Sequence, residues 1–240
     1  LPDSYISVKE ALYHAGLIHN RDVDVVWVNS EDVERNGPEQ YLGSVCGIVV
    51  PGGFGPRGIE GMVDAVSYAR QKNVPYLGLC LGLQVMVVQT AREFLGKEKA
   101  NSTEFDPHTP DPVIALMPDQ KDVTSKGGTM RLGEYPCQIV EGSLAAAAYG
   151  LPLIGERHRH RFEFNNAYRE ELETVGLWPT GLSPDGRLVE IMEMSNQDFM
   201  VGVQFHPEFL SRPDRPHPVF VAFLSFAEKT LREGGQPSLL

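Results

Sequence analysis

Apolar positions along the chain fall into blocks of two different periods. Behind Asp3 or Ser4, either of which suits a helix cap, Ile6, Val8, Ala11, Leu12 and Ala15 recur at helical spacing, and Gly16 follows as a terminator. The pattern predicts a helix with those apolar residues on its buried side. Residues 23–28 and 46–50 read as strands, the second running into Pro51-Gly52-Gly53. Residues 58–72 read as helix, 74–79 as strand and 83–95 as an amphipathic helix. Alternation of this kind predicts the α/β class: a doubly wound, mostly parallel, flavodoxin-like sheet flanked by helices. From about Val113 the pattern becomes β-rich, with candidate strands at 131–140, 156–164, 188–194 and 200–205. Residues 213–218 form a proline-rich turn before a closing helix at 219–231. The stretch 101–122 reads as loop, and 119–128 as a mobile segment. There is no internal repeat and no low-complexity run.

Composition narrows the class. The 240 residues are 42% hydrophobic, enough for one large domain with a sizeable core. The three cysteines, Cys46, Cys80 and Cys137, are too few and scattered for a disulfide framework, which favours a reducing, cytoplasmic setting. Cys46 and Cys137 lie in apolar stretches and read as inert packing. No secretory signal, lipidation motif or membrane-length apolar run is present, so no membrane partner is expected. A formal net charge of −11 argues against nucleic-acid binding.

The chemistry concentrates at Gly78-Leu79-Cys80-Leu81-Gly82, where the strand reading gives way to the helix reading. A thiol between two closely spaced glycines at a strand-to-helix turn is the sulfur counterpart of the nucleophile elbow. Glycines let neighbouring backbone pass close to a strained turn, and the helix N-terminus favours the thiolate. The competing reading is a core cysteine with two incidental glycines. Far downstream stands Gln204-Phe205-His206-Pro207-Glu208-Phe209. If extended, this run points His206 and Glu208 the same way, so that Glu208 fixes one imidazole tautomer while the other ring nitrogen faces the thiol. A lone His-x-Glu is more often accidental; it gains meaning only beside Cys80. Leu81, just after the nucleophile, offers a backbone N–H at the helix start, and the glycine turn after 46–50 offers another, a pair suited to an oxyanion. Pro51-Gly52-Gly53 also reads as a plain tight turn. Gln84 stands one helical turn beyond Cys80 on the same face, where the alternative is a solvated position. In the run 157–161, arginines and histidines alternate. Extended, it offers a phosphate strip or, from two histidines, a metal site; the absence of nearby further ligands argues against metal.

PGGFG at 51–55, GLCLGLQ at 78–84 and QFHPEF at 204–209 resemble the triad, or class I, glutamine amidotransferases. RGIEG at 57–61, NSTEF at 101–105, GGTMRLG at 127–133 and RHRHRFEFNN at 157–166 narrow the resemblance to the glutaminase domain of CTP synthases, over essentially the whole chain. The resemblance implies a class I glutamine amidotransferase-like fold and hydrolysis of L-glutamine to glutamate and ammonia. Cys80, His206 and Glu208 would be the triad and a glutamyl thioester the intermediate. It assigns the oxyanion hole to Gly53 and Leu81, and glutamine binding to Gly53, Leu81, Gly82, Leu83, Gln84, Glu104 and Arg161. Glu104 would pair with the α-amino group and Arg161 with the α-carboxylate. Phe54, Arg57 and Gly58, with the GGTMRLG loop, are candidates for a regulatory lid ordered by GTP, the family's allosteric activator.

The same resemblance implies a partner: an N-terminal synthetase domain that uses ATP, Mg2+ and UTP, receives the ammonia to make CTP, and assembles as a homotetramer. No phosphate-binding loop or dinucleotide fingerprint occurs here, so no cofactor is expected in this domain. The whole of 1–240 reads as the amidotransferase domain, with the synthetase domain and a first strand expected outside the chain, which opens already at a helix cap. Other triad amidotransferases, such as the GMP synthetase glutaminase, share the triad but are not expected to carry the last two segments. A γ-glutamyl hydrolase would use similar parts on peptide-like substrates. A silent regulatory module remains the alternative from another class, against which the intact Cys80, His206 and Glu208 stand.

Overall fold

The computed structural model of the chain describes residues 2–116 and 130–232. A 3-10 turn, Pro2–Tyr5, leads into α1 (Ile6–His19), which ends on Asn20 in the left-handed region, its N–H returning to Gly16 and Leu17. After α2 (Ser30–Asn36) and α3 (Glu39–Leu42) come β1 (Ile48–Val50), α4 (Ile59–Lys72), β2 (Tyr76–Leu79) and α5 (Leu81–Phe94). The rest of the chain comprises β3 (Asn101–Ser102), β4 (Pro112–Leu116), β5 (Arg131–Ile139), α6 (Leu144–Tyr149), β6 (Leu153–His160), β7 (Phe162–Phe164), α7 (Arg169–Thr174), β8 (Leu177–Leu182), β9 (Val189–Met194), β10 (Met200–Val203) and α8 (Pro218–Arg232).

Seven strands form one sheet in the order β1-β2-β10-β9-β8-β5-β6, and β3-β4-β7 form a second. The α/β class stands, but in the large sheet parallel pairing is confined to β1, β2 and β10, the part that carries the chemistry. Every pairing from β10 through β9, β8 and β5 to β6 is antiparallel. The β-rich segments expected in the C-terminal half are therefore the larger part of the sheet rather than an appendage, with β8, β9 and β10 joined by short connections.

Alternation along the strands sorts the core into two layers. Tyr76, Met192 and Met200 face Val63, Val66, Leu83 and Val87 from α4 and α5. Leu77, Leu79, Ile191, Val201 and Val203 face Val8, Leu12, Phe220 and Phe223 from α1 and α8. Two expectations fail here. Ile6 is 54% exposed rather than buried, because it opens the helix beyond the reach of the core. Residues 23–28 are not a strand: Val23 and Val25 pack against the second layer, but no ladder partner for this segment exists among the described residues. The expected mobile segment 119–128 lies outside the described residues, as do 117–122 of the loop-rich stretch 101–122, whose described part is loop between β3 and β4. Among the described residues no helix is long and apolar enough to cross a membrane.

Candidate active site

Cys80 sits between β2 and α5 with φ 51° and ψ −97°, one of three non-glycine residues at positive φ among those described. Such a conformation is strained for an L-residue and persists where the surroundings over-determine it. Those surroundings are visible. A Cβ on Gly78 would lie 2.5 Å from the Gly82 backbone, and one on Gly82 would lie 2.2 Å from the Val50 carbonyl. Strand, turn and helix thus pass too close for any side chain at either glycine. The Cys80 N–H donates to the Val203 carbonyl at 2.7 Å, fastening the turn to β10. The elbow reading holds and the incidental-glycine reading fails.

His206 follows β10, its N–H held by the Arg157 carbonyl at 2.7 Å. Its Nδ1 lies 2.7 Å from Glu208 Oε1, and Phe209 stacks on its ring. The anticipated His206–Glu208 pair forms, but not by strand alternation. Pro207–Phe209 is a 3-10 turn capped by His206, and the turn brings the carboxylate back under the ring. Burial alone would push the His206 pKa down; hydrogen bonding and charge from Cys80 and Glu208 raise it to about 10. The His206 ring is accordingly held as imidazolium beside the sulfur.

The glycine turn completes the wall. A Cβ on Gly52 would meet His206 Cε1 at 2.6 Å and Cys80 Cβ at 3.6 Å, and one on Gly53 would meet the Leu81 side chain at 2.9 Å. Gly53 and Leu81 are therefore neighbours beside the sulfur, and Leu81, as first residue of α5, has an N–H that the helix ladder does not use. Glu104 accepts the Gly55 N–H at 3.0 Å and so ties the loop after β3 to this turn. Leu83 is fully buried and Gly82 is packed against β1, so neither offers more than backbone to a substrate. Gln84 is not solvated; it is 4% exposed, and its Nε2 donates to the Phe162 carbonyl at 3.2 Å and to Gln204 Oε1 at 3.3 Å. Arg161 is half-buried where the chain leaves β6 in the large sheet for β7 in the small one.

The lid candidates stand apart from the triad. Phe54 is 92% exposed, Arg57 reaches Glu31 at 3.9 Å, and Gly58 opens α4 against Ser30. Of the GGTMRLG loop, residues 127–129 lie outside the described residues. Arg131 belongs to β5 and is buried between Glu163 (3.3 Å) and Glu190 (2.8 Å), so this part of the motif is not a loop. Alternation in β6 is as expected: Arg157 and Arg159 are exposed while His158 and His160 are buried, bonded to each other at 2.8 Å. Sequence reasoning missed the buried Arg131–Glu163–Glu190 group and gave Gln204 no role. For Gln204 a signal existed, an amide inside the apolar run Val201-Gly202-Val203-Gln204-Phe205.

The fold thus brings together a cysteine on a strained elbow, an imidazole backed by a carboxylate, and two glycine-bounded amides. Residues 1–226 match the family model for class-I glutamine amidotransferase, and the chain belongs to that family. Within it, similarity runs to CTP synthases. The chain is 61% identical over 239 residues to CTP synthase of Dehalococcoides mccartyi, covering 100% of this chain and 44% of the relative. CTP synthase of Roseiflexus sp. (strain RS-1) is likewise 61% identical over 240 residues, covering 100% of this chain and 43% of the relative. The chain thus spans less than half the length of these relatives. Among solved structures, the glutaminase domain of Trypanosoma brucei CTPS with bound acivicin superposes with a TM-score of 0.89 at 37% identity, over 95% of this chain and 89% of that one. A putative GMP synthase protein from Thermoplasma acidophilum shares the fold at TM-score 0.56 and 15% identity, over 94% of this chain and 90% of that one.

Proposed function

We propose that this chain is the glutaminase part of a CTP synthase, hydrolysing L-glutamine to glutamate and ammonia. The carrying observation is Cys80 at positive φ beside an imidazole that Glu208 backs at 2.7 Å. The Cys80 thiolate attacks the side-chain amide carbon, and the Gly53 and Leu81 N–H groups receive the developing oxyanion. His206 protonates the departing nitrogen as the C–N bond breaks, leaving ammonia and a glutamyl thioester. Now neutral, His206 takes a proton from water, which adds to the thioester carbon. The C–S bond breaks, its electron pair returns to sulfur, and glutamate leaves. Glu104 and Arg161 serve the α-amino and α-carboxylate groups; a guanidinium fork suits the latter. Both Gln84 N–H donors are engaged within the protein, so Gln84 would meet the substrate through Oε1.

Delivery of ammonia to a synthetase domain using ATP, Mg2+ and UTP, activation by GTP through Phe54, Arg57 and Gly58, and tetrameric assembly rest on the resemblance to the longer CTP synthases. The deciding experiment treats the protein with acivicin and maps the modified peptide by mass, alongside an ammonia-release assay on glutamine. Modification confined to Cys80, with turnover lost in step, is the expected result. Equal modification of Cys46 and Cys137, or full turnover by a modified enzyme, overturns the reading.

A further inference from the structure

A buried carboxamide beside the nucleophile has its orientation dictated by the fold. Gln204 is fully buried just past β10, its backbone N–H donating to the Glu190 carbonyl at 2.8 Å. Its side-chain nitrogen lies 3.6 Å from Cys80 Sγ, a hydrogen-bonding distance for sulfur. The two ends of a carboxamide have nearly the same shape but opposite hydrogen-bonding character, so the sense is set by a partner of fixed character. That partner is the Phe162 carbonyl, which only accepts. Gln84 therefore presents its NH2 group to Phe162 O at 3.2 Å. The second hydrogen of the same group points to Gln204 at 3.3 Å and needs an acceptor, so Gln204 faces Gln84 with Oε1. Only the Gln204 NH2 group is then left for the sulfur.

The same carbonyl fixes the far end. His160 Nδ1, 3.2 Å from Phe162 O, must carry the proton; a neutral His160 then accepts at Nε2 from His158 Nδ1–H at 2.8 Å. Both rings are held neutral, by burial first and the Arg131 charge second, with pKa values lowered to about 2 and 3. Reversing Gln84 would set its oxygen against the Phe162 carbonyl, and reversing Gln204 would set two NH2 groups face to face, in a dry interior.

We propose that Gln204 is a catalytic hydrogen-bond donor to the Cys80 sulfur, held donor-first by Gln84 and the Phe162 carbonyl. Its N–H favours the thiolate before attack and meets the electron pair that returns to sulfur when the thioester C–S bond breaks. Gln84 is a positioning residue acting through Gln204. The kinetic part of this role rests on the glutaminase reading; the effect on the sulfur does not. The titratable neighbours on this side are His206 with Glu208 behind it, and, beyond the uncharged amides, His158, His160, Glu163, Glu190 and Arg131.

The test measures the rate of Cys80 alkylation by iodoacetamide against pH in the full chain, without glutamine, for wild type, Gln204→Met and Gln84→Met. Gln204→Met keeps the length and removes the donor. Its profile should move to higher pH by about one unit, the scale of one hydrogen bond to an anion, slowing alkylation roughly tenfold near neutrality. Gln84→Met should move it the same way by less. On unmutated protein, the Gln204 side-chain amide NMR signals should shift when Cys80 is alkylated, which keeps the test open if a variant misfolds. A wild-type profile in folded Gln204→Met, or amide signals indifferent to alkylation, overturns the donor; an unmoved profile in Gln84→Met overturns the positioning. Absence of ammonia release by wild type, with Gln204-dependent alkylation intact, would instead sink the glutaminase reading alone.

Discussion

His206 and the His158–His160 pair are buried close together in one domain, yet their proton affinities move in opposite directions. Desolvation pushes all three toward the neutral ring. At His206 a sulfur and a carboxylate overturn that tendency and lift the value to about 10. At His158 and His160 the Arg131 guanidinium adds to desolvation and leaves them at about 2 and 3, although Glu190 and Glu163 carboxyls lie 3.7 and 3.4 Å from the rings. The difference lies in which neighbouring charge prevails over desolvation: sulfur and carboxylate at the half-buried His206, guanidinium at the buried pair. One region, beyond the ends of the parallel strands, holds its proton more tightly than a free imidazole. The other, in the antiparallel half, keeps fixed tautomers that serve as framework.

The greatest loss follows from removing the sulfur. Cys80→Ala should lower glutamine turnover by about 10^4-fold or more while the fold persists, measured as ammonia release. Removing the cation from the other region is the next largest perturbation. Arg131→Met leaves Glu163 and Glu190 buried without their counter-ion and should cost about 3–5 kcal/mol of stability in urea unfolding. A variant as stable as wild type would show that the group is not structural. Glu208→Gln sharpens the comparison from the catalytic side. It withdraws one anion from His206 and should reduce kcat by roughly 10^2-fold, with the His206 titration moving to lower pH by NMR.

The pH dependence of stability sums both regions. His206, raised from 6.5 to about 10, contributes fully below its unfolded value and is lost as pH climbs to about 10. Glu163, raised from 4.5 to about 8 mainly by burial, and Glu190, also raised, have the same sign and lose their contribution as pH rises from 4.5. His158 and His160, depressed from 6.5, contribute above that value and are lost as pH falls toward 3 and 2. Above 6.5 the first set falls unopposed; below 4.5 only the histidine pair still changes. Stability should peak between these two values, and urea midpoints that still rise above pH 7 would contradict the assignment. The smallest effect separates strain from chemistry. Cys80→Gly should be more stable than Cys80→Ala by about 1 kcal/mol, because only glycine adopts positive φ freely.

Much of the site was legible because its constraints are local. Gly78 and Gly82 announce the elbow, since backbone crowds both positions. His206 and Glu208 were correctly paired for a partly wrong reason: the spacing is right for an extended chain, but a 3-10 turn supplies the contact. Residues 23–28 show the reverse failure. Their valines have the pattern of a strand, yet a strand also needs a neighbour to share its hydrogen bonds, and a sequence pattern holds no information about that neighbour. Arg131, Glu163 and Glu190 resemble solvent-facing charges in alternating strands. They are buried because β5, β7 and β9 bring them to one point.

Residue identity over a few positions was enough to single out Cys80 on its turn, His206 with Glu208, the helix and strand succession around them, and the family. Packing between distant segments made the larger part of the sheet antiparallel, engaged the Gln84 amide nitrogen inside the protein, and turned the Gln204 nitrogen to the sulfur. Those outcomes rest on contacts between segments as much as 124 residues apart. A carbonyl on one strand fixes the sense of an amide on another only after packing has excluded the water that would otherwise satisfy both.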